Sequence, residues 1–488
     1  MSPGGNDPAI VIIGSGFAGL GMAIALKRAG YHDFVVLEKN DALGGTWRDN
    51  TYPGCACDVP SHMYSYSFEL NPGWSKMFAP QDEIWQYMRH CARTYGITAH
   101  IRFGCPVEST EWDEAAGRWR VATAAGEVYT ARAVVSGTGA LHVPWFPDIP
   151  GAGQFGGTAF HSAQWDHSCD LSGKRVAVIG TGASAIQFIP QIAGQAARVY
   201  VFQRTPPWIH PRPDFEIPPA VRAAFTAAPP VMRIFRDAIY WLLEIRAAGF
   251  AVHPALLTPL QRIAERHITR QIPDPALRAQ VRPDYTIGCK RILQSSDYYP
   301  ALTRPDVELV TGPIGQITRS GLAGADGTVY DVDVIIYGTG FKTVEALTDL
   351  NVAGRDGVKL QDTWRDGAEA HHGITVAGFP NFFLLLGPNT GLAHNSVIFM
   401  IESQVQHVMS CLRLLARQHG NTIEVSPAAL RRYNDRIQRR LRRAVWSQGG
   451  CTSWYLDTDG VNRTLWPGFS FGYWARTRHA RRADYLIR

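Results

Sequence analysis

Short, uninterrupted apolar runs that end on glycine recur along this chain and set its plan. Ala9 to Ile13 runs into Gly14-Ser15-Gly16-Phe17-Ala18-Gly19. Helical spacing follows over Met22 to Ala29, then a second apolar run, Phe34 to Leu37, closing on Glu38. Four or five consecutive apolar residues mark a strand buried on both faces, as in a parallel sheet, whereas a half-exposed strand alternates. The same order returns at Arg175 to Ile179, Gly180-Thr181-Gly182-Ala183-Ser184-Ala185 and the strand Arg198 to Phe202. Two more runs, Ala131 to Gly139 and Asp331 to Gly340, each end in Gly-Thr-Gly. Such turns suit a backbone that passes close to a ligand or crosses between domains. Further on, Phe382 to Leu386 leads through Gly387-Pro388-Asn389-Thr390-Gly391 into a helix expected over Ser396 to Gln418. Residues 206–283 break the pattern. They are rich in Pro, Ala and Arg, with helical spacing around Ile234 to Ile245 and Leu256 to Ile268. The plan is α/β: two Rossmann-like dinucleotide-binding domains with a helical insertion.

The two glycine turns carry the chemistry. In a strand–turn–helix unit the glycines allow a tight turn and let backbone N–H groups approach a pyrophosphate at a helix N-terminus. The residue after the second strand then meets the adenosine ribose. Glu38 stands 24 positions after Gly14, and a carboxylate there accepts from a ribose 2′-OH; Arg204 stands 24 positions after Gly180, where a guanidinium suits a 2′-phosphate. That register favours a cofactor role for Arg204 over a plain surface arginine. One unit therefore holds an adenine dinucleotide lacking that phosphate and the other holds NADP, an arrangement for passing hydride from NADPH to a flavin.

Composition narrows the setting. At 488 residues, 45% hydrophobic and 18% charged, the chain has ample core for several domains. No window of eighteen residues is apolar throughout, and the greasiest run, Ala238 to Ile245, is interrupted by Glu244, so no transmembrane span is expected. The polar start, Met1 to Pro8, leads straight into a strand, and a cytoplasmic protein is expected. Net charge is only +6, and the densest basic stretch, Arg431 to Arg443, has Leu430, Tyr433, Ile437 and Leu441 at helical spacing. It reads as a surface helix with a basic outer face, and no nucleic-acid partner is expected. The eight cysteines show neither a C-x-x-C pair nor zinc spacing, so all are expected as free thiols and no metal site is expected. Four of the fourteen tryptophans fall between Trp446 and Trp474, where packing is the expected role.

Between the two units lies Phe155-Gly156-Gly157-Thr158-Ala159-Phe160-His161-Ser162-Ala163-Gln164-Trp165-Asp166. Its bulky aromatics predict a connection packed between domains, and His161 is expected to satisfy backbone groups. The pattern Phe155-x-Gly157-x-x-x-His161-x-x-x-Trp165-Asp166 resembles the fingerprint of Baeyer–Villiger monooxygenases. A second motif of that family is similar to Gly44-Gly45-Thr46-Trp47 through Tyr52-Pro53-Gly54 to Asp58. The resemblance spans nearly the whole chain. It implies FAD in the first site, NADPH in the second, and a C4a-peroxyflavin that inserts oxygen beside a ketone carbonyl to give an ester or lactone. It further implies that Arg291 stabilises the oxygenated intermediate, that Asp58 orients Arg291, and that Lys290 helps hold the 2′-phosphate. Gly14, Gly16, Gly19, Glu38, Thr46, Trp47, Asp58 and Tyr64 look like FAD contacts. Thr181, Gly182, Ser184, Gln187, Arg204 and Thr205 look like NADP contacts. Without the resemblance, Lys290-Arg291 would read as adjacent surface cations.

The expected boundaries are 1–143 and 341–488 for the FAD domain and 167–205 and 289–340 for the NADP domain. The linker is 144–166 and the insertion 206–288. Three other readings stay open: a sulfur- or nitrogen-oxygenating flavin monooxygenase, a flavin disulfide reductase, and a non-catalytic dinucleotide-binding sensor. The reductase would need a redox cysteine pair beside the flavin, and Cys55-Ala56-Cys57 has the wrong spacing for the usual one. The ketone itself and the oligomeric state are not legible.

Overall fold

The structure is a computed structural model that describes residues 7–343, 350–457 and 459–488. Residues 1–6, part of the polar start, lie outside the described residues. Among the described residues, ten strands build two parallel sheets. In chain order they are β1 (Ile10–Ile13), β2 (Phe34–Leu37), β3 (Ile101–Arg102), β4 (Ala133–Ser136), β5 (Thr158–His161), β6 (Arg175–Ile179), β7 (Arg198–Phe202), β8 (Val307–Val310), β9 (Val334–Tyr337) and β10 (Phe382–Leu384). The first sheet runs β10-β4-β1-β2-β3 and the second β8-β7-β6-β9-β5. Both place the strand of the glycine turn at the centre and the strand of the Gly-Thr-Gly turn beside it.

Period-two geometry assigns the two faces of each sheet. In β1, Ile10 and Ile12 pack with helix α1 (Phe17–Arg28), while Val11 and Ile13 face a separate core with Trp119 and Val121. That second core is roofed by an antiparallel sheet of Val107–Asp113, Arg118–Thr123 and Val128–Ala131. The other unit repeats the arrangement. Val176 and Val178 of β6 face the helix side with α2 (Ala185–Ile192), and Ala177 and Ile179 face Ile317 and Leu322 of a three-stranded antiparallel sheet. The continuous apolar runs are explained by this double cover. The antiparallel roofs carried no glycine-turn signal and were not predicted.

The stretch from Phe155 to Asp166 is more than a connection. Its residues 158–161 form β5, the edge strand of the second sheet, with Phe160 opposite Ile336 of β9. His161 is fully buried between the rings of Phe146 and Phe341, and its Nδ1 accepts from Ala163 N–H at 3.1 Å. Burial pulls its pKa down to about 4, so the ring is neutral.

The insertion is helical, with α3 (Pro229–Glu244) and α4 (Thr258–Gln271). It is pinned to the first unit by buried polar groups. Arg236 donates to the carbonyls of His62 and Ser65, and Glu244 accepts from Asn395 and Ser470. Glu244, the charge that interrupts the apolar run, is thus an anchor. The C-terminal part adds α5 (Val397–Arg417), α6 (Pro427–Leu441) and α7 (Ser470–Thr477). Helix α6 buries Tyr433, Ile437 and Leu441 and turns its arginines outward. Trp446 and Trp466 are buried, whereas Trp454 and Trp474 stay exposed, so packing accounts for two of the four. Among the described residues no helix is long and apolar enough to cross a membrane.

One sequence expectation is overturned. Cys289 and Cys451 form a disulfide across 162 positions, with Cα atoms 6.1 Å apart; the other six cysteines are free thiols. No local spacing could reveal a pair that only the tertiary fold brings together.

Candidate active site

The first glycine turn is built by close backbone approach. Gly14 has φ +93°, and a Cβ there would sit 2.9 Å from the Gly137 carbonyl oxygen; a Cβ on Gly19 would sit 1.9 Å from the Gly14 oxygen. Both positions need glycine for packing alone. Gly137 belongs to the first Gly-Thr-Gly turn, which explains that motif: it braces the fingerprint. Gly16 differs, because a Cβ there would meet only the Gly45 Cα at 3.9 Å. At Gly16, facing Gly45, the turn therefore leaves a bare cradle, which suits a pyrophosphate.

Glu38 is buried at the end of β2. Its Oε2 accepts from the backbone N–H and the hydroxyl of Ser15 at 2.9 and 2.6 Å, and Oε1 accepts from Asn40 N–H at 3.0 Å. These bonds fix the carboxylate and leave acceptor capacity for a ribose hydroxyl. Thr46 and Trp47 open a short helix, Thr46–Asp49, beside Gly45. The Trp47 indole N–H donates to the Tyr64 hydroxyl at 3.0 Å, and Tyr64 packs edge-on against Phe17. Burial raises the Tyr64 pKa, so the hydroxyl stays protonated.

The second turn repeats the first. Gly180 has φ +105°, and a Cβ there would lie 2.5 Å from the Gly338 oxygen of the other Gly-Thr-Gly. Ala185 replaces the third glycine, and a Cβ on Gly338 would touch its methyl at 3.1 Å, so the helix still packs closely. Thr181 is buried, Gly182 is exposed and Ser184 sits at the N-cap of α2. Arg204 is exposed after β7, with Thr205 half-buried beside it. Lys290 comes from a distant segment yet lies within electrostatic reach of Arg204. Its pKa is lowered by burial first and by Arg204 second. The fold thus brings together two cations that the sequence separates by 86 positions, at the end of the strand where a 2′-phosphate is expected.

Gln187 has a different immediate partner from the one expected. Its Oε1 accepts from the Tyr52 hydroxyl at 3.0 Å and from Ala56 N–H at 3.3 Å, and its Nε2 donates to the Ala56 carbonyl at 3.0 Å. The side-chain amide clasps the Tyr52–Cys57 loop of the first unit. Arg212 adds a second clasp by donating to the Cys57 carbonyl at 2.9 Å. Sequence reasoning missed Arg212, which no motif marks.

These clasps place Asp58 against Arg291. Arg291 Nε donates to Asp58 Oδ2 at 3.0 Å, and Nη2 donates to Oδ1 and Oδ2 at 2.8 and 2.6 Å. The fork is bidentate, so the guanidinium is fixed in plane as well as in position. Asp58 beside it raises the Arg291 pKa, against the opposing effect of burial. The cation keeps its charge at any working pH. Tyr455, fully buried, lies beside the same pair; burial raises its pKa to about 12, against the opposing pull of Arg291. Tyr455 was also missed, since a tyrosine in an aromatic tail reads as packing. Cys289 and Cys451, each within four residues of Arg291 or Tyr455, tie the two segments together.

The pyridine nucleotide-disulphide oxidoreductase family matches residues 11–235. A Baeyer–Villiger monooxygenase of Pseudomonas aeruginosa is 49% identical over 98% of this chain and 91% of its own length. One from Streptomyces coelicolor is 48% identical over 98% and 92%. Among solved structures, OTEMO in complex with FAD and NADP superposes with a TM-score of 0.89 at 27% identity, covering 99% of both chains. Oxidised steroid monooxygenase bound to NADP gives 0.87 at 31%, with the same coverage. With two dinucleotide units, a bidentate arginine–carboxylate pair between them and full-length relatives of this kind, the chain belongs to the Baeyer–Villiger monooxygenases.

Proposed function

We propose that this protein inserts one oxygen atom of O2 beside the carbonyl of a small-molecule ketone, giving an ester or lactone, with FAD in the first site and NADPH in the second. The observation that carries this reading is the Arg291–Asp58 fork, in which a cation from the second unit is clamped by a carboxylate from the first. When bound and reduced, the flavin supplies the activation of O2.

The residues divide the work. The bare cradle at Gly16 and Gly45 admits the FAD pyrophosphate, Glu38 takes its ribose, and Thr46, Trp47 and Tyr64 line the route to the ring. Arg204 and Lys290 neutralise the 2′-phosphate of NADPH, with Thr181, Gly182, Ser184 and Thr205 around the adenosine end. Gln187 acts there through its clasp, holding the two units in register. Arg291 stabilises negative charge on the reacting oxygen, and Asp58 holds it at a fixed angle, so that little reorganisation is needed as charge develops. Because the guanidinium is charged throughout, it acts electrostatically and transfers no proton.

The test is incubation of the purified protein with NADPH, O2 and a panel of linear, cyclic and aryl ketones plus sulfides, read by mass spectrometry. An ester or lactone 16 mass units above its ketone supports the reading. Sulfoxides without any ester would replace it with heteroatom oxygenation.

A further inference from the structure

Outside both dinucleotide sites the C-terminal part forms a cleft of about 310 Å³, open to solvent, between helices α5, α6 and α7. None of its lining residues belongs to the sites described above. Its rim is basic: Arg432, Arg436 and Arg440 come from α6, Arg476 from α7 and Arg481 from the segment after it. The carboxylate in the lining is Asp484, and Arg432 pairs with it at 3.5 Å. Arg436, Arg440 and Arg481 have no ion-pair partner among the described residues. Arg476 is depressed by burial first and then by Arg440, Arg436 and Arg481, so these charges repel across one opening.

The floor is polar and unsatisfied. His371, His372 and Tyr433 line it and are at least nine-tenths buried, and the Nδ1 atoms of both histidines and the Tyr433 hydroxyl have no hydrogen-bond partner. By contrast, His407 beside them is satisfied on both nitrogens, by the Thr477 carbonyl and the Tyr485 hydroxyl. Buried polar atoms without partners cost stability, and so does a ring of uncompensated cations; one anion would relieve both. A guanidinium fork matches phosphoryl oxygens, and neutral imidazole and phenol groups can donate to them from below. The apolar side, Ile437 and Trp466, leaves room for the organic part of an ester.

We propose that this cleft is a binding site for a phosphate-bearing anion. The phosphoryl group could belong to a soluble phosphate ester or to a lipid headgroup, because Phe471 and Trp474 stand exposed on the same helix as Arg476. The two sources are separated by experiment.

The holoenzyme, saturated with FAD and NADP⁺ so that neither dinucleotide site competes, is titrated with sodium pyrophosphate by calorimetry at ~0.1 M salt. A parallel arm measures sedimentation with phosphatidylcholine vesicles, with and without phosphatidylglycerol. Saturable binding at one site per chain, with Kd below about 0.1 mM, is expected for the soluble source. Binding only to the phosphatidylglycerol vesicles assigns the headgroup. In either case R436Q/R440Q should weaken binding at least about tenfold, and Tyr433→Phe, which changes no charge, about three- to tenfold. The control R439Q/R443Q removes the same charge from α6 and the turn after it, away from the cleft. Failure of both probes, or equal losses in the two double variants, would overturn the proposal. Because the readout is binding, it stands or falls separately from the oxygenation chemistry.

Discussion

Arg291 allows two half-reactions to be told apart. Hydride transfer from NADPH to FAD requires only that two rings be aligned, whereas productive oxygen insertion requires a cation beside the reacting oxygen. Two unit charges about 4 Å apart interact by about 4 kcal/mol at an effective dielectric of about 20. The Arg291 and Asp58 side chains are 33% and 26% exposed, so solvent screening reduces that figure to about 2 kcal/mol, or about thirtyfold in rate. Arg291→Ala should therefore bind both cofactors and bleach under anaerobic NADPH, while in air it consumes NADPH, releases hydrogen peroxide and loses ester formation about thirtyfold or more. Arg291→Lys keeps the charge but not the fork, and should fall between. Asp58→Ala removes only the orienting partner and should show a milder form of the same uncoupling. The double variant should be no worse than Arg291→Ala, because the two act as one unit. The assays are anaerobic stopped-flow absorbance for the first half-reaction and the ratio of ester to hydrogen peroxide for the second. Ester formation at the wild-type rate by Arg291→Ala would refute the assignment.

Gly16→Val should give a folded, colourless protein, since its side chain enters the bare cradle and meets no backbone nearer than 3.9 Å at Cβ; absorbance near 450 nm reads the flavin. Full flavin content in that variant would remove the first-site assignment, whereas Gly19→Val is expected to fail in folding because its Cβ overlaps the Gly14 oxygen. Arg204→Ala should raise the NADPH KM roughly ten- to a hundredfold, the loss of about 1.5–3 kcal/mol from one charge-assisted contact, and leave NADH use almost unchanged. Equal losses with both cofactors would make Arg204 structural.

The legible part of this protein is whatever depends on local order. Seven strands of the two parallel sheets, β1, β2, β4, β6, β7, β9 and β10, announce themselves as apolar runs, whereas the outer strands β3, β5 and β8 are short or partly exposed and went unread. The paired 24-residue offsets to Glu38 and Arg204 follow from the fixed length of a strand–turn–helix–strand unit. The Gly-Thr-Gly motifs were legible as close approaches, but their partners, Gly14 and Gly180, are tertiary facts. Gln187 illustrates the limit: its position in the motif points at a nucleotide, while its amide is committed to Tyr52 and Ala56 more than 130 positions away. The alternating strands that roof each sheet carry no glycine signal and so went unread.

The cysteines show the same limit with a consequence. Eight scattered thiols in a chain expected to be cytoplasmic read as free, yet the fold sets Cys289 against Cys451, one residue before Lys290-Arg291 and four before Tyr455. A crosslink over 162 positions restricts the unfolded chain, and such a bond stabilises by about 2–4 kcal/mol. It also fixes the tail against the segment that carries Arg291, where Thr286 N–H already donates to the Gly449 carbonyl at 3.0 Å. Cys451→Ala should therefore lower Tm and shift turnover from ester toward hydrogen peroxide, while leaving anaerobic flavin reduction intact. Treatment of the wild type with dithiothreitol should reproduce both effects, and dithiothreitol should do nothing further to the variant. Peptide mass mapping without reductant gives the direct check. Recovery of Cys289 and Cys451 as two separately alkylated thiols, with Tm and product ratio unmoved by the substitution, would show that the two sulfurs are neighbours without being a brace for Arg291.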